Sequence, residues 1–282
     1  MQVECWRDSG AGKFVTEDGN LTQAKLSMQG DIAIVTLDNA PQNRLSPEML
    51  DDLAAILNRV KANDPRAVVI TAEGPDFSFG GDIVPWVDMT TSELRSLFER
   101  YMRIFNEFEQ LRMPTVAVAQ GKCFGGGFEL ALRADVIFAG ETAIFGHPEQ
   151  SLAIVTVLGG IYRVAERAGR AKAIEWAFTS QPVPAAEMAA HGVVNQVIAD
   201  DKLLETAMAF AEGLAKGPTR AHMAHKAILR IFAAGGSALA DDAIFDIAMP
   251  LFETEDVKTA LPASATAFLE KKPRPAVPFT VK

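Results

Sequence analysis

Three short, almost uninterrupted apolar runs, Val68-Val69-Ile70-Thr71-Ala72, Thr115-Val116-Ala117-Val118-Ala119 and Val136-Ile137-Phe138-Ala139, constrain this chain more than any other feature. A run of four to eight apolar, largely β-branched residues bounded by turn residues has the pattern of a strand buried on both faces, which is a strand of a parallel sheet. Between these runs the apolar spacing changes from two to three and four. Ser46-Pro47 supplies an N-cap and a first-turn proline, and Leu50, Leu53, Leu57 and Val60 then mark one helix face. Leu94, Leu97, Phe98, Tyr101, Ile104, Phe105, Phe108 and Leu111 mark a second, longer face up to Pro114, which reads as core packing. Strands that alternate with helices specify an α/β fold with crossover connections.

The rest of the chain is organised around this alternation. Ala24–Met28 and Asp31–Asp38, joined by Gln29-Gly30, read as a hairpin, and Ala143–Phe145 adds a further strand. Residues 1–20 show no sustained period and read as an extension, with the fold starting near Leu21. From Gly160 the pattern becomes helical: Ile161–Ala168, Ala171–Ser180, Ala185–His191, Leu203–Lys216, Pro218–Ala234 and about two more, with one strand at Val193–Ile198. This gives an extension at 1–20, a core at 21–200 and a helical region at 201–282. The last region holds Ile228, Ile231, Phe232, Ile244, Phe245, Ile247, Met249, Leu251 and Phe252, more apolar surface than thin helices bury alone, which points to packing against another subunit.

Composition excludes several classes. No apolar run reaches the roughly 18 residues that span a bilayer, and Met1–Asp8 carries acids where a secretory leader needs an apolar stretch, so a cytoplasmic protein is expected. A net charge of −9 disfavours a nucleic-acid partner. Cys5 and Cys123 are far apart and have no histidine at ligand spacing, so neither a disulfide framework nor a metal site is indicated. An anionic ligand would need a local basic patch, for which Arg44, Lys122, Arg133, Lys271, Lys272 and Arg274 are the candidates.

The chemistry concentrates in two glycine-rich turns and two acids. Ser78-Phe79-Gly80-Gly81-Asp82 and Gly125-Gly126-Gly127 lack the spacing of dinucleotide and phosphate loops, but backbone N–H groups from both, converging on one oxygen, would stabilise an enolate. Glu129 stands in apolar sequence one turn into a helix, and Glu149 follows 20 positions later, after Pro148. Taken singly, Glu129 also suits a helix dipole and Glu149 a solvated loop; facing each other across a water, they would divide base and acid roles. His147, His191, His222 and His225 have no nucleophile context.

Ser78–Ile83, Gly121–Val136 and Phe145–Glu149 together resemble the crotonase (enoyl-CoA hydratase/isomerase) superfamily, with support from Asn39–Ser46 and Ala189–Asn195, over roughly Leu21 to Lys272. The resemblance implies a spiral of ββα units, a helical C-terminal trimerisation region, a homotrimer or homohexamer, and an acyl-CoA thioester substrate with no permanently bound cofactor. It implies an oxyanion hole from the N–H groups of Gly81 and Gly126, Glu129 as base on water and Glu149 as proton donor. Phe79 would lie near the adenine of coenzyme A, with Arg44, Lys271 and Lys272 as phosphate contacts. Hydration of an enoyl-CoA is the leading expectation; double-bond isomerisation or another CoA-thioester reaction of the same superfamily, and acyl-CoA binding without catalysis, are the alternatives. The chain departs from the hydratase pattern at Val157, which replaces a glycine that helps place the water.

Overall fold

The computed structural model describes residues 15–16 and 21–280. Its centre is a seven-stranded sheet in the order β1-β2-β3-β4-β5-β7-β10, comprising β1 (Val15–Thr16), β2 (Ala24–Gln29), β3 (Ile32–Leu37), β4 (Ala67–Ala72), β5 (Thr115–Ala119), β7 (Val136–Gly140) and β10 (Gln196–Ile198). The hairpin β2–β3 is antiparallel, and from β3 to β10 every pairing is parallel. A smaller sheet is made of β6 (Lys122–Phe124), β8 (Ile144–Gly146) and β9 (Val183–Pro184). Consecutive strands enter the large sheet and then the small one before a helix returns: β5, β6, α3 (Gly126–Ala131), and β7, β8, α4 (Gly160–Thr179). This repetition is the ββα spiral that the resemblance implied.

Alternation along the strands explains why both sheet faces are covered. Val68, Ile70, Ala117, Ala119, Ile137 and Ala139 face a core filled by Met49, Leu50, Leu53, Ile56, Leu57 and Val60 of α1 (Pro47–Asn63) and by Tyr101, Ile104, Phe105 and Phe108 of α2 (Thr91–Glu109). Ala67, Val69, Val116, Val118 and Phe138 face the other way, onto Leu203, Ala207, Met208 and Ala211 of α6 (Leu203–Lys216). At about 1.5–3 kcal/mol for each large apolar side chain removed from water, these two layers are the main stabilising contribution. Local signals set the helix starts. Ser46 Oγ accepts from Met49 N–H, and Thr90 and Glu93 form a capping box.

The structure differs from the sequence reading in several places. Val15–Thr16 pair with Ser27–Met28, so the sheet begins inside the expected extension; Cys5 and most of 1–20 lie outside the described residues. By contrast, the two helices expected at Ile161–Ala168 and Ala171–Ser180 are both present, as the arms of α4 on either side of Gly169, whose φ 81° and ψ 156° are not helical. The expected strand Val193–Ile198 pairs only over Gln196–Ile198. Val193 and Val194 N–H still donate to Met188 O at the end of α5 (Ala185–Ala190), so the chain is leaving a helix there. The helix expected at Pro218–Ala234 is likewise present, as the first arm of α7 (Thr219–Ala248) up to the non-helical Gly236, and the two further helices expected are the second arm of α7 and α8 (Glu255–Leu269), which has Pro262 inside it. Among the described residues no helix is long and apolar enough to cross a membrane.

Candidate active site

Two backbone segments meet at the ends of the small sheet. Ser78 bridges Cys123, with Ser78 N–H donating to Lys122 O at 3.1 Å and Phe124 N–H to Ser78 O at 2.9 Å. At Gly80 (φ 88°) an added Cβ would lie 2.8 Å from Phe124 O and 2.9 Å from Gly126 N, so only glycine allows the two turns to touch. Hydrogen bonds occupy the flanking donors: Gly80 N–H to Ser78 Oγ, Asp82 N–H to Leu45 O, Gly125 N–H to Gly146 O. Gly81 and Gly126 both line the adjoining cavity, and Gly81 N lies 3.6 Å from the position a Cβ on Gly126 would take. Gly126 is also the first residue of α3, where a helix leaves its N–H without an intrahelical acceptor.

The cavity encloses about 230 Å³. Its apolar walls include Trp86, Phe98, Tyr101, Leu152, Val157 and Leu158, and its polar lining is largely Glu129, Glu149 and the glycine turns. Phe98 and Tyr101 belong to the α2 stripe read as core packing, so one helix face serves both core and cavity. Tyr101 is held there by a hydrogen bond from its hydroxyl to Leu45 O.

Glu129 is 1% exposed, and its Oε1 accepts from Leu158 N–H and Gly160 N–H, both at 2.9 Å. Burial raises its pKa to about 6; the two N–H donors and the Arg133 and Arg163 charges limit the rise. Glu149 sits in the 3₁₀ turn Pro148–Leu152 that follows β8. Burial, followed by the charge of Glu129, raises its pKa to about 7, and its Oε2 has no protein hydrogen-bond partner. The two N–H donors and the arginine charges favour the ionised form of Glu129, whereas burial and the Glu129 charge disfavour that of Glu149, an arrangement suited to one acceptor and one donor on a shared cavity. His147 Nδ1 lies 3.8 Å from Glu149 Oε2, but burial lowers the His147 pKa to about 4, so the contact is not an ion pair at neutral pH.

The expected residues divide into those brought to the cavity and those left away from it. Glu129, Glu149, Gly81, Gly126, Phe79 and Arg44 all line it. Arg44 is tied by Nε to Gln42 Oε1 at 2.8 Å, and Lys122 Nζ sits 4.9 Å over the Phe79 ring. Lys271 and Lys272 are exposed beyond α8 and do not line the cavity of their own chain. Arg133 is no surface cation: it is 2% exposed and pairs with Glu109 at 2.8 Å, on the far side of the Leu158 backbone. The solvated-loop alternative for Glu149 is set aside, because its side chain is only 12% exposed. Sequence reasoning passed over Trp86 and Arg163, whose residue types carried no periodic or motif signal, and it gave His147 no role beyond its place in the Phe145–Glu149 segment.

The sequence profile described as enoyl-CoA hydratase/isomerase matches residues 27–276. The chain belongs to the crotonase superfamily. A probable enoyl-CoA hydratase of Mycobacterium tuberculosis is 30% identical over 247 residues, 86% of this chain and 92% of that protein. A short-chain-enoyl-CoA hydratase of Clostridium acetobutylicum is 31% identical over 259 residues, 89% and 96% of the two chains. The crystal structure of an enoyl-CoA hydratase from Bacillus anthracis superimposes with a TM-score of 0.83 at 26% identity, covering 93% of this chain and all of that one (100%). As a crotonase superfamily member the chain is an enzyme-family protein with an acyl-CoA substrate class.

Proposed function

We propose that this crotonase hydrates the 2,3 double bond of an enoyl-CoA thioester. The observation that carries the reading is the placement of Glu129 and Glu149 on one largely apolar cavity together with Gly81 and Gly126. The thioester oxygen is positioned to accept from the Gly81 and Gly126 N–H groups. Ionised Glu129 takes a proton from water as the water oxygen bonds to Cβ. The π electrons move toward Cα and the thioester, giving an enolate whose negative oxygen the two N–H groups stabilise. Protonated Glu149 then delivers its proton to Cα as the carbonyl re-forms, and a proton returns from Glu129 to Glu149 before the next turnover. Arg44 and Phe79, at the edge of the same cavity, serve the coenzyme A portion.

Purified protein mixed with crotonyl-CoA or longer 2-enoyl-CoAs is expected to bleach the conjugated enoyl-thioester absorbance; no loss at any chain length would sink the reading. Val157, whose side chain lines the cavity where a glycine was expected, favours a second reading, isomerisation of a 3-enoyl to a 2-enoyl thioester, because that reaction needs no placed water. Tight acyl-CoA binding in calorimetry with neither reaction would instead mark a binding protein.

The protein acts as a homotrimer or a homohexamer in this reading. Leu229, Phe245, Leu261, Phe268 and Leu269 of α7 and α8 are between 56% and 83% exposed in the single chain, more apolar surface than a monomer leaves in water. Sedimentation equilibrium is expected to give a multiple of three protomers; a monomer at micromolar concentration would contradict it.

A further inference from the structure

Glu129 is held by a turn, and that turn is itself gripped from behind by a partly buried ion cluster. Glu109, at the end of α2, receives Arg163 Nε at 2.7 Å and Nη2 at 2.6 Å, and Arg133 Nη1 at 2.8 Å. Two arginines around one carboxylate leave the cluster one positive charge in excess. Each guanidinium also reaches the backbone between Leu158 and Gly160: Arg133 Nη2 donates to Leu158 O at 2.6 Å, and Arg163 Nη1 donates to Gly159 O at 3.3 Å. The Gly159 carbonyl and the Gly160 N–H belong to one peptide group. A cation bonds to its oxygen end, and its N–H end donates to Glu129 Oε1 at 2.9 Å. A peptide polarised in this direction is a stronger donor than one facing water.

We propose that Arg133 and Arg163, locked together by Glu109, are positioning residues that hold the Leu158–Gly160 turn and, through it, the Glu129 carboxylate. Neither arginine lines the cavity, so both act on the reaction only through Glu129. The cluster also opposes protonation of Glu129. Desolvation raises the Glu129 pKa, and the two arginine charges act against it across α3 and α4. The other charged or titratable groups around Glu129 are Glu149, across the cavity, and His147, whose ring, like the Glu129 side chain, packs against Gly160. Neither supplies a cation at neutral pH, because His147 is kept neutral by burial.

The inference rests on Glu129 acting as the base, and the test separates the two ideas. Arg133→Met leaves Glu109 with both Arg163 bonds, so the fold is expected to survive; Arg163→Gln, at the less buried partner, is the second variant. In each, kcat for crotonyl-CoA is expected to fall by about 10-fold to 10²-fold with KM little changed, the cost of a misplaced catalytic group. The acid limb of the pH profile is expected to move up by about one unit, the effect of removing a nearby opposite charge, while the alkaline limb stays in place. Arg133→Lys is expected to restore part of both losses. The carboxyl carbon of Glu129, followed by NMR in carbon-13-labelled protein and assigned by its disappearance in Glu129→Gln, should show the same upward shift with no substrate present. Folded variants with an unmoved Glu129 titration would overturn the inference even if wild type hydrates enoyl-CoA. A shifted titration in a protein that hydrates nothing would uphold the clamp and reject only the proposed reaction.

Discussion

Glu129→Gln is expected to lower kcat for enoyl-CoA hydration by about 10²–10⁴-fold, the loss that follows removal of a positioned general base. The substitution is close to silent structurally. Glutamine keeps a carbonyl oxygen that accepts from Leu158 and Gly160 N–H, and it removes only the proton-accepting capacity that faces the cavity. Binding of the acyl-CoA is therefore expected to change little, and the loss to appear in kcat. Wild-type activity is expected to follow a bell-shaped pH profile in kcat/KM. The acid limb lies near pH 6, where Glu129 gains a proton, and the alkaline limb near pH 7, where Glu149 loses one. If Glu129→Gln spares hydration to within tenfold, Glu129 is not the base. If it spares only the conversion of 3-enoyl to 2-enoyl thioesters, Glu149 is the shuttling carboxylate of an isomerase.

The second large effect has opposite signs for activity and stability. Glu149→Gln removes the proton donor and is expected to reduce hydration by a similar 10²–10⁴-fold, with loss of the alkaline limb from the residual activity. Its stability is expected to exceed that of wild type at pH 8. A carboxyl group near 4.5 in the unfolded chain and near 7 in the folded one binds more protons when folded, so wild type loses stability as pH rises through that window and regains none above it. At about 1.4 kcal/mol per unit of pKa difference, discounted for partial burial, the loss is of order 2 kcal/mol. Glutamine, neutral throughout, does not incur it. Thermal melts at pH 8 should place Glu149→Gln a few degrees above wild type, and melts at pH 5 should bring the two together. A variant that melts below wild type at pH 8 would show that the Glu149 carboxylate is well satisfied in the fold.

Much of this was legible before the structure. The parallel strands were readable because burial on both faces forces continuous apolar runs, and the start of α1 because Ser46 is a cap of a kind that side-chain oxygens make locally; the Thr90 cap of α2 went unread, since only the apolar face from Leu94 onward marked that helix. The glycine turns were readable because a backbone approach as close as Gly80 to Gly126 leaves few other residues possible. Element ends were less legible. Gln196–Ile198 is shorter than the expected strand Val193–Ile198 because the Val193 and Val194 N–H groups donate back to Met188 O at the end of α5, a contact that the apolar run does not announce. Arg133 was misassigned for a similar reason. With Glu129 four residues before it and Asp135 two after, Arg133 has the same local pattern whether it meets solvent or Glu109, 24 positions earlier.

By itself the sequence determined the α/β alternation, the two glycine turns and the pair of acids 20 positions apart, because each of these depends on residue type and short-range spacing. Tertiary structure decided everything about how the acids differ. Only the fold places both carboxylates on one low-dielectric cavity, gives Glu129 two N–H donors and the arginines behind them, and leaves Glu149 without such support beside a neighbouring charge. A pKa depends on desolvation and on charges brought near through space, and neither is encoded in the residues adjacent along the chain.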